Sequence, residues 1–192
     1  MKPSKKAEYP INEFVARRWS GRAFEPKELE EDKLKSLFEA ARWSASSYNE
    51  QPWRFLVAKR ETDTFEKMVG TLLQPNQVWA KNASVLVVAL SKTTFDRNDR
   101  PNRHYAYDLG SSVANLSVQA TALGLNIRQM GGYDPKKIKE EFQIPDNLEA
   151  FAVLAIGYLT EPEKVLTEQY AQMEFAPQER KKQDDFVYYD SF

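Results

Sequence analysis

A single domain mixing helices and strands is the fold class this sequence predicts, and three observations predict it. The chain has 192 residues, within the roughly 100 to 200 over which one core usually forms. Helical i, i+3, i+4 spacing and short valine-rich runs take turns along it. Its hydrophobic content of 42% supplies a core, while 29% charged residues and a mean hydropathy of -0.64 argue against a membrane span or a disordered tail.

The elements follow in order. The opening MKPSKKAEYP is basic but has no apolar stretch behind it, so it reads as a loose arm and not as a secretory signal. Ile11, Phe14 and Val15 mark a short helix. Leu34, Leu37, Phe38 and Ala41 recur at helical spacing, which predicts a helix from Glu28 to Ala45 with one buried face, entered after Pro26. A strand is expected from Trp53 to Lys59, then a helix through Phe65, Met68, Val69 and Leu72. Val85 to Leu90 is valine-rich and bounded by polar residues, as a buried strand should be. Residues 91–103 lack periodicity and form a polar loop, either a binding or lid segment or a solvated connection. Tyr105, Leu109, Val113, Leu116, Ala120 and Leu123 line one face of a long helix that Gly124 ends. Asp134 and Pro135 suit the cap and first turn of a short helix burying Ile138 and Phe142, and Ala150 to Leu159 is a last core strand. Beyond Thr160 core signals are few. The closing FVYYDSF is aromatic and strand-prone with no local core to join, so a partner subunit is one place for it to pack.

Composition removes several function classes. The 27 Lys and Arg balance 28 Asp and Glu, leaving no global field to gather nucleic acid or an anionic membrane. The absence of cysteine excludes disulfide scaffolds, thiolate nucleophiles and cysteine-ligated metals, and fits a reducing cytoplasm. His104 is the only histidine, which excludes multi-histidine metal sites, and without a GxSxG elbow a Ser-His-Asp hydrolase has little to stand on. His104 and Asp108 fall four apart on one helix face, where a local pair is the expected role. The glycines permit neither GxGxxG nor GxxxxGK[ST], the longest apolar run is seven residues, and no repeat or internal linker divides the chain, so residues 1–192 are expected to form one domain.

Three segments offer chemistry. In RWSGRAF, Arg18, Ser20 and Arg22 alternate and in extended backbone point to one side. They form either a phosphate receptor, matched by guanidinium forks, or a solvated basic stretch. SASSYNEQPWRF places Ser46, Ser47, Asn49 and Gln51 between a helix end and a strand start. Side-chain amides there can read the alternating donors and acceptors of a planar heterocycle, or simply end a helix. After Met130, the adjacent Gly131 and Gly132 allow backbone N–H groups close to a ligand, or serve an ordinary turn.

Taken in order, RWSGRAF, EAARWSASSYNEQPWRF and YDLGSSVANLSVQATALGLNIRQMGGYD resemble the flavin-dependent nitroreductase family from about Phe14 to Val187. The resemblance implies an α+β fold: a central, mostly antiparallel sheet flanked by helices, with a C-terminal arm reaching the partner of a homodimer. It implies FMN held noncovalently, with Arg18, Trp19 (mainly its backbone), Ser20 and Arg22 on phosphate and ribityl, and Ser46, Ser47 and Asn49 reaching an FMN bound chiefly by the other subunit. Gln51 belongs to the same segment. Asn76 would lie at the pyrimidine edge, the Gly131 and Gly132 backbone near flavin N5 with Met130 also cofactor-binding, and Arg180 at the phosphate. No side chain is implied as catalytic and no metal is implied. NADH or NADPH would reduce the flavin, which would then reduce a small nitroaromatic, quinone or related acceptor in ping-pong fashion. Dehalogenation, enoate reduction, flavin breakdown and non-catalytic flavin binding remain open beside it. The sequence departs from the pattern at Ala45 and Lys182, where proline is common, and at Arg128, an added cation before the glycine turn.

Overall fold

The computed structural model describes residues 7–192, so the first six residues of the expected arm lie outside the described residues. In chain order come α1 (Glu13–Arg17), α2 (Glu31–Arg42), β1 (Trp53–Lys59), α3 (Asp63–Thr71), α4 (Gln74–Ala80), β2 (Val85–Lys92), α5 (Tyr105–Ala122), β3 (Asn126–Met130), α6 (Pro135–Glu141), β4 (Leu148–Gly157), α7 (Pro162–Val165) and α8 (Glu168–Glu174). The strands form one sheet in the order β1-β2-β4-β3, with every pairing antiparallel. The α+β reading therefore holds. Among the described residues no helix is long and apolar enough to cross a membrane.

Strand β2 is apolar without alternation because the sheet is covered on both faces. Leu86, Val88 and Leu90 point to one side, packing with Phe65 and Met68 of α3, Trp79 of α4 and Ile138 of α6. Val85, Val87 and Ala89 point to the other, against Leu34 and Leu37 of α2 and Leu109, Val113 and Leu116 of α5. Each such large side chain, fully buried, contributes about 1.5–3 kcal/mol. The periodicity of α5 follows from this, and Gly124, at φ 74°, ends the helix in the left-handed conformation.

Several boundaries move. The helix expected from Glu28 starts at Glu31, because Glu30 is still extended (ψ 135°) and no side chain caps earlier. Strand β2 runs on to Lys92 because β1 and β4 flank it to its end, and the last strand shifts to Leu148–Gly157 to meet β2 and β3. Residues 91–103 are not an irregular loop: Thr94 bridges Pro101 and Phe95 N–H donates to Arg100 O at 2.9 Å, closing a hairpin-like turn. Helix α1 forms, capped by Asn12, yet Ile11 and Val15 stay exposed. FVYYDSF is not a strand; it follows a 3₁₀ turn at Gln183–Asp185 and leaves Phe186, Tyr188, Tyr189 and Phe192 exposed.

Strand β3 is an edge strand, and the sequence around Ser20 covers that edge. The Asn126 amide donates to Gly21 O at 3.0 Å and accepts from Gly21 N–H at 3.3 Å, substituting for a ladder partner. Farther on, Phe24 pairs with Leu159 and stacks on Trp79, ring centroids 6.2 Å apart. The RWSGRAF segment is thereby fixed between β3, α4 and the C-terminal helices.

Candidate functional site

Alternation in β3 sends Ile127 and Gln129 toward α5, where Gln129 reaches Ser117 at 3.5 Å, and sends Arg128 and Met130 to the opposite face. There the Arg128 guanidinium donates to Ser20 O and lies over the Trp79 ring, 5.3 Å from its centroid. Arg18 Nη1 donates to Ser20 Oγ at 3.1 Å, so Arg18 and Ser20 do meet as their spacing predicts. Arg22 turns elsewhere: its backbone N–H donates to Glu174 Oε2 at 2.8 Å and its Nη1 to Oε1 at 2.9 Å. Glu174, in the last turn of α8, is 1% exposed.

Arg18 and Arg128 thus meet at Ser20, and beside them Arg22 is held by one carboxylate, Glu174. Burial and neighbouring charge show in the proton affinities of Arg128 and Arg18. Burial, then the charge of Arg22, holds Arg128 down at about 10 against the opposing pull of Glu174, so it remains a cation at neutral pH. Burial first, and Arg180 second, lowers Arg18. Arg18, Trp19 and Arg180 line a cavity of about 910 Å³ together with Gln178, Lys181 and Phe186. Trp19 Nε1 is buried there with no hydrogen-bond partner among the described residues. Net positive charge beside an unspent N–H donor is an environment for an anion.

Adjoining this cluster, Asn76 of α4 donates from Nδ2 to Gly132 O at 3.0 Å. The approach needs glycine: a Cβ on Gly132 would sit 2.6 Å from that Nδ2, whereas one on Gly131 would meet nothing within 4 Å. The space over Gly131 is open. Trp79, three residues past Asn76 on α4, carries Arg128, so the arginine cluster and the amide-glycine pair are contiguous.

Ser46, Ser47, Asn49 and Gln51 form a separate group. Ser47 N–H donates to the buried Asp108 carboxylate at 3.1 Å and Gln51 N–H to Ser46 Oγ at 3.0 Å; Asp108 thus turns to Ser47 and not to His104. Tyr48, Asn49 and Gln51 all have positive φ (54°, 56° and 51°), a conformation that costs a non-glycine residue free energy. This loop hangs from Asp108 at the start of α5, while Ser20 and Gly21 sit near its far end; the rise from Asp108 to Ala122 is about 21 Å. The structure brings together Arg18, Trp19, Ser20, Arg22 and Arg180, and beside them Asn76, Met130, Gly131 and Gly132, but not the 46–51 loop.

Sequence reasoning missed Glu174 and left Arg128 as an unplaced cation. Both act across more than 100 positions, and no local pattern marks α8 as the helix that buries Ala171 and Glu174.

Comparison with known proteins bears on the family and the fold. The model of the nitroreductase family matches residues 15–158. A solved oxidoreductase containing FMN superposes with a TM-score of 0.92 at 33% identity, covering 98% of this chain and 96% of that one. A putative NADH dehydrogenase/NAD(P)H nitroreductase of Archaeoglobus fulgidus is 26% identical over 152 residues, 76% of this chain and 83% of its own. The major NAD(P)H-flavin oxidoreductase of Aliivibrio fischeri is 32% identical over 113 residues, 57% of this chain and 50% of its own.

Proposed function

Since the chain belongs to the nitroreductase family, we propose that it is an FMN-dependent oxidoreductase that takes hydride from NADH or NADPH and reduces a small electrophilic acceptor, a nitroaromatic or quinone. The observation that carries this reading is the continuity of an arginine-rich anion environment with an amide-glycine pair beside open space. A phosphate at one end and a planar heterocycle at the other is the ligand chemistry such a site fits. FMN supplies the redox chemistry, alternately accepting hydride and passing reducing equivalents to the acceptor.

The protein's part is to bind and to orient. Arg18 and Arg180 would hold phosphate by charge-assisted hydrogen bonds, with the Trp19 backbone beside them. Ser20 fixes the Arg18 fork, and Arg128, through Ser20 O, fixes the segment that carries it. Asn76 is oriented by Gly132 O, leaving its amide oxygen as an acceptor for a ring N–H. Gly131 keeps the path to the flavin open, and donor and acceptor use that face in turn, which gives ping-pong kinetics.

The working unit is a homodimer in the cytoplasm. Trp43, Tyr48 and Tyr107 are 75%, 76% and 80% exposed around the 46–51 loop, more apolar surface than a lone subunit favours. The C-terminal aromatics, equally uncovered, serve the same contact as an arm on the partner, where Ser46, Ser47, Asn49 and Gln51 complete the second subunit's site.

The purified protein is expected to be yellow or to take up one FMN per chain, to be bleached anaerobically by NADH or NADPH, and to give parallel double-reciprocal lines with an added acceptor. A colourless protein that retains no added FMN contradicts the proposal.

A further inference from the structure

The ion pair between Arg22 and Glu174 lies outside the binding roles assigned above. Glu174 belongs to a helix beyond the residues the family model matches, and it is the carboxylate that touches the arginine cluster. Both its oxygens are engaged by Arg22, its side chain is 2% exposed, and its charge is felt by Arg128, whose guanidinium lies over Trp79 beside Asn76. A buried ion pair contributes little net stability compared with an apolar pair of the same shape. Gly21 already covers the β3 edge through Asn126, without the ion pair. What the carboxylate does is offset one of the positive charges beside the proposed flavin site.

We propose that Glu174 is a positioning residue that holds Arg22 away from the ligand and, as the counter-ion of the Arg22–Arg128 pair, keeps the reduction potential of the bound FMN low. The inference rests on the proposed FMN site. Two-electron reduction, with one proton taken from solvent, leaves the flavin one charge more negative than before. Arginines nearby favour that product, and a carboxylate among them opposes it. A lower potential lets the reduced enzyme pass electrons to acceptors that a more oxidising flavin would not reduce.

The test is a spectroscopic redox titration of the FMN-loaded protein with dithionite against a reference dye, alongside FMN titration of the apoprotein and its thermal melting. Glutamine keeps the shape of Glu174 and an acceptor for Arg22 Nη1 but removes the charge. Glu174→Gln is expected to stabilise reduced over oxidised FMN on the order of tenfold, an upward shift of about 30 mV for a two-electron couple. Arg128→Met is expected to shift the potential the other way, and it serves as the second variant if Glu174→Gln fails to fold. A Glu174→Gln protein that melts lower with an unchanged potential, or an Arg128→Met protein whose potential does not fall, makes the pair merely structural and overturns the proposal. Wild-type protein that takes up no FMN overturns the underlying reading as well, and that outcome is visible before any variant is made.

Discussion

Around Ser20, polar groups are held by partners far away in the chain: Gly21 by Asn126, Arg22 by Glu174 and Ser20 O by Arg128. Around Ser47, several bonds close within five residues, and the distant anchors are Asp108, which accepts from Ser47 N–H, and Asp96, whose N–H donates to the Glu50 carboxylate. The first region is half-buried and charged. The second is strained in its backbone, with three left-handed residues, and borders exposed Trp43, Tyr48 and Tyr107. On the proposed reading, the difference is that one chain finishes one half of a binding site and leaves the other for a neighbour. Strain and uncovered aromatic surface persist in a fold when something outside the chain uses them.

The largest expected effect tests the finished half. Arg18→Ala removes a charge-assisted bond to phosphate and should weaken FMN binding by about 1.5–3 kcal/mol, read by fluorescence titration of the apoprotein. Unchanged affinity would remove Arg18 from the phosphate site. Next in size, Gly131→Val fills the open space over the glycine turn. Flavin reduction by NADH should slow on the order of tenfold, about 1.4 kcal/mol in barrier, with FMN affinity little altered. Rapid mixing measures that step, and an unimpaired rate would place the reactive face elsewhere.

A smaller effect sharpens the contrast with the loop. Asn49→Gly keeps the left-handed backbone that glycine adopts freely, so the loop should hold its shape and FMN affinity should fall by about 1 kcal/mol through the lost side chain alone. Equal affinity in this variant and wild type would remove Asn49 from the site.

The smallest prediction concerns the scaffold of the finished half. The Tyr133 hydroxyl, next to Gly132, donates to Ala150 O at 2.7 Å, and burial first, then Glu149, raises its pKa above 10.0. Because the folded value lies above the unfolded one, its contribution is full below pH 10 and fades as pH rises through the raised value. Tyr133→Phe should cost about 1 kcal/mol at neutral pH and lose less stability than wild type on going to pH 11, by chemical denaturation. A parallel pH dependence in the two proteins would contradict this.

How much of this was legible in the sequence follows the same division. β1 was readable to the residue, α5 and the Asp134-capped α6 nearly so, because spacing and capping are local signals. Strand β3 was not, since Asn126, Arg128 and Gln129 are unremarkable polar residues until an edge position and the Ser20 segment give them partners. Helix α4 was hidden behind Pro75, which suits a first turn but equally suits a loop. The ordered motifs pointed to Arg18, Ser20, Asn76 and the glycine pair. Arg22 went astray because alternation says which way a side chain faces and nothing of a carboxylate 152 positions on.

The division of one site between two chains is tested most directly by mixing two defective proteins. Arg18→Ala spoils the finished half and Asn49→Gly the loop. When the two are unfolded together and refolded, half of the dimers are mixed, and each mixed dimer holds one site with both intact halves, about one site in four overall. The mixture is expected to regain FMN binding of wild-type affinity in about that fraction, while each variant refolded alone does not. A mixture that binds FMN only as the average of its two components would show that each chain builds its site by itself.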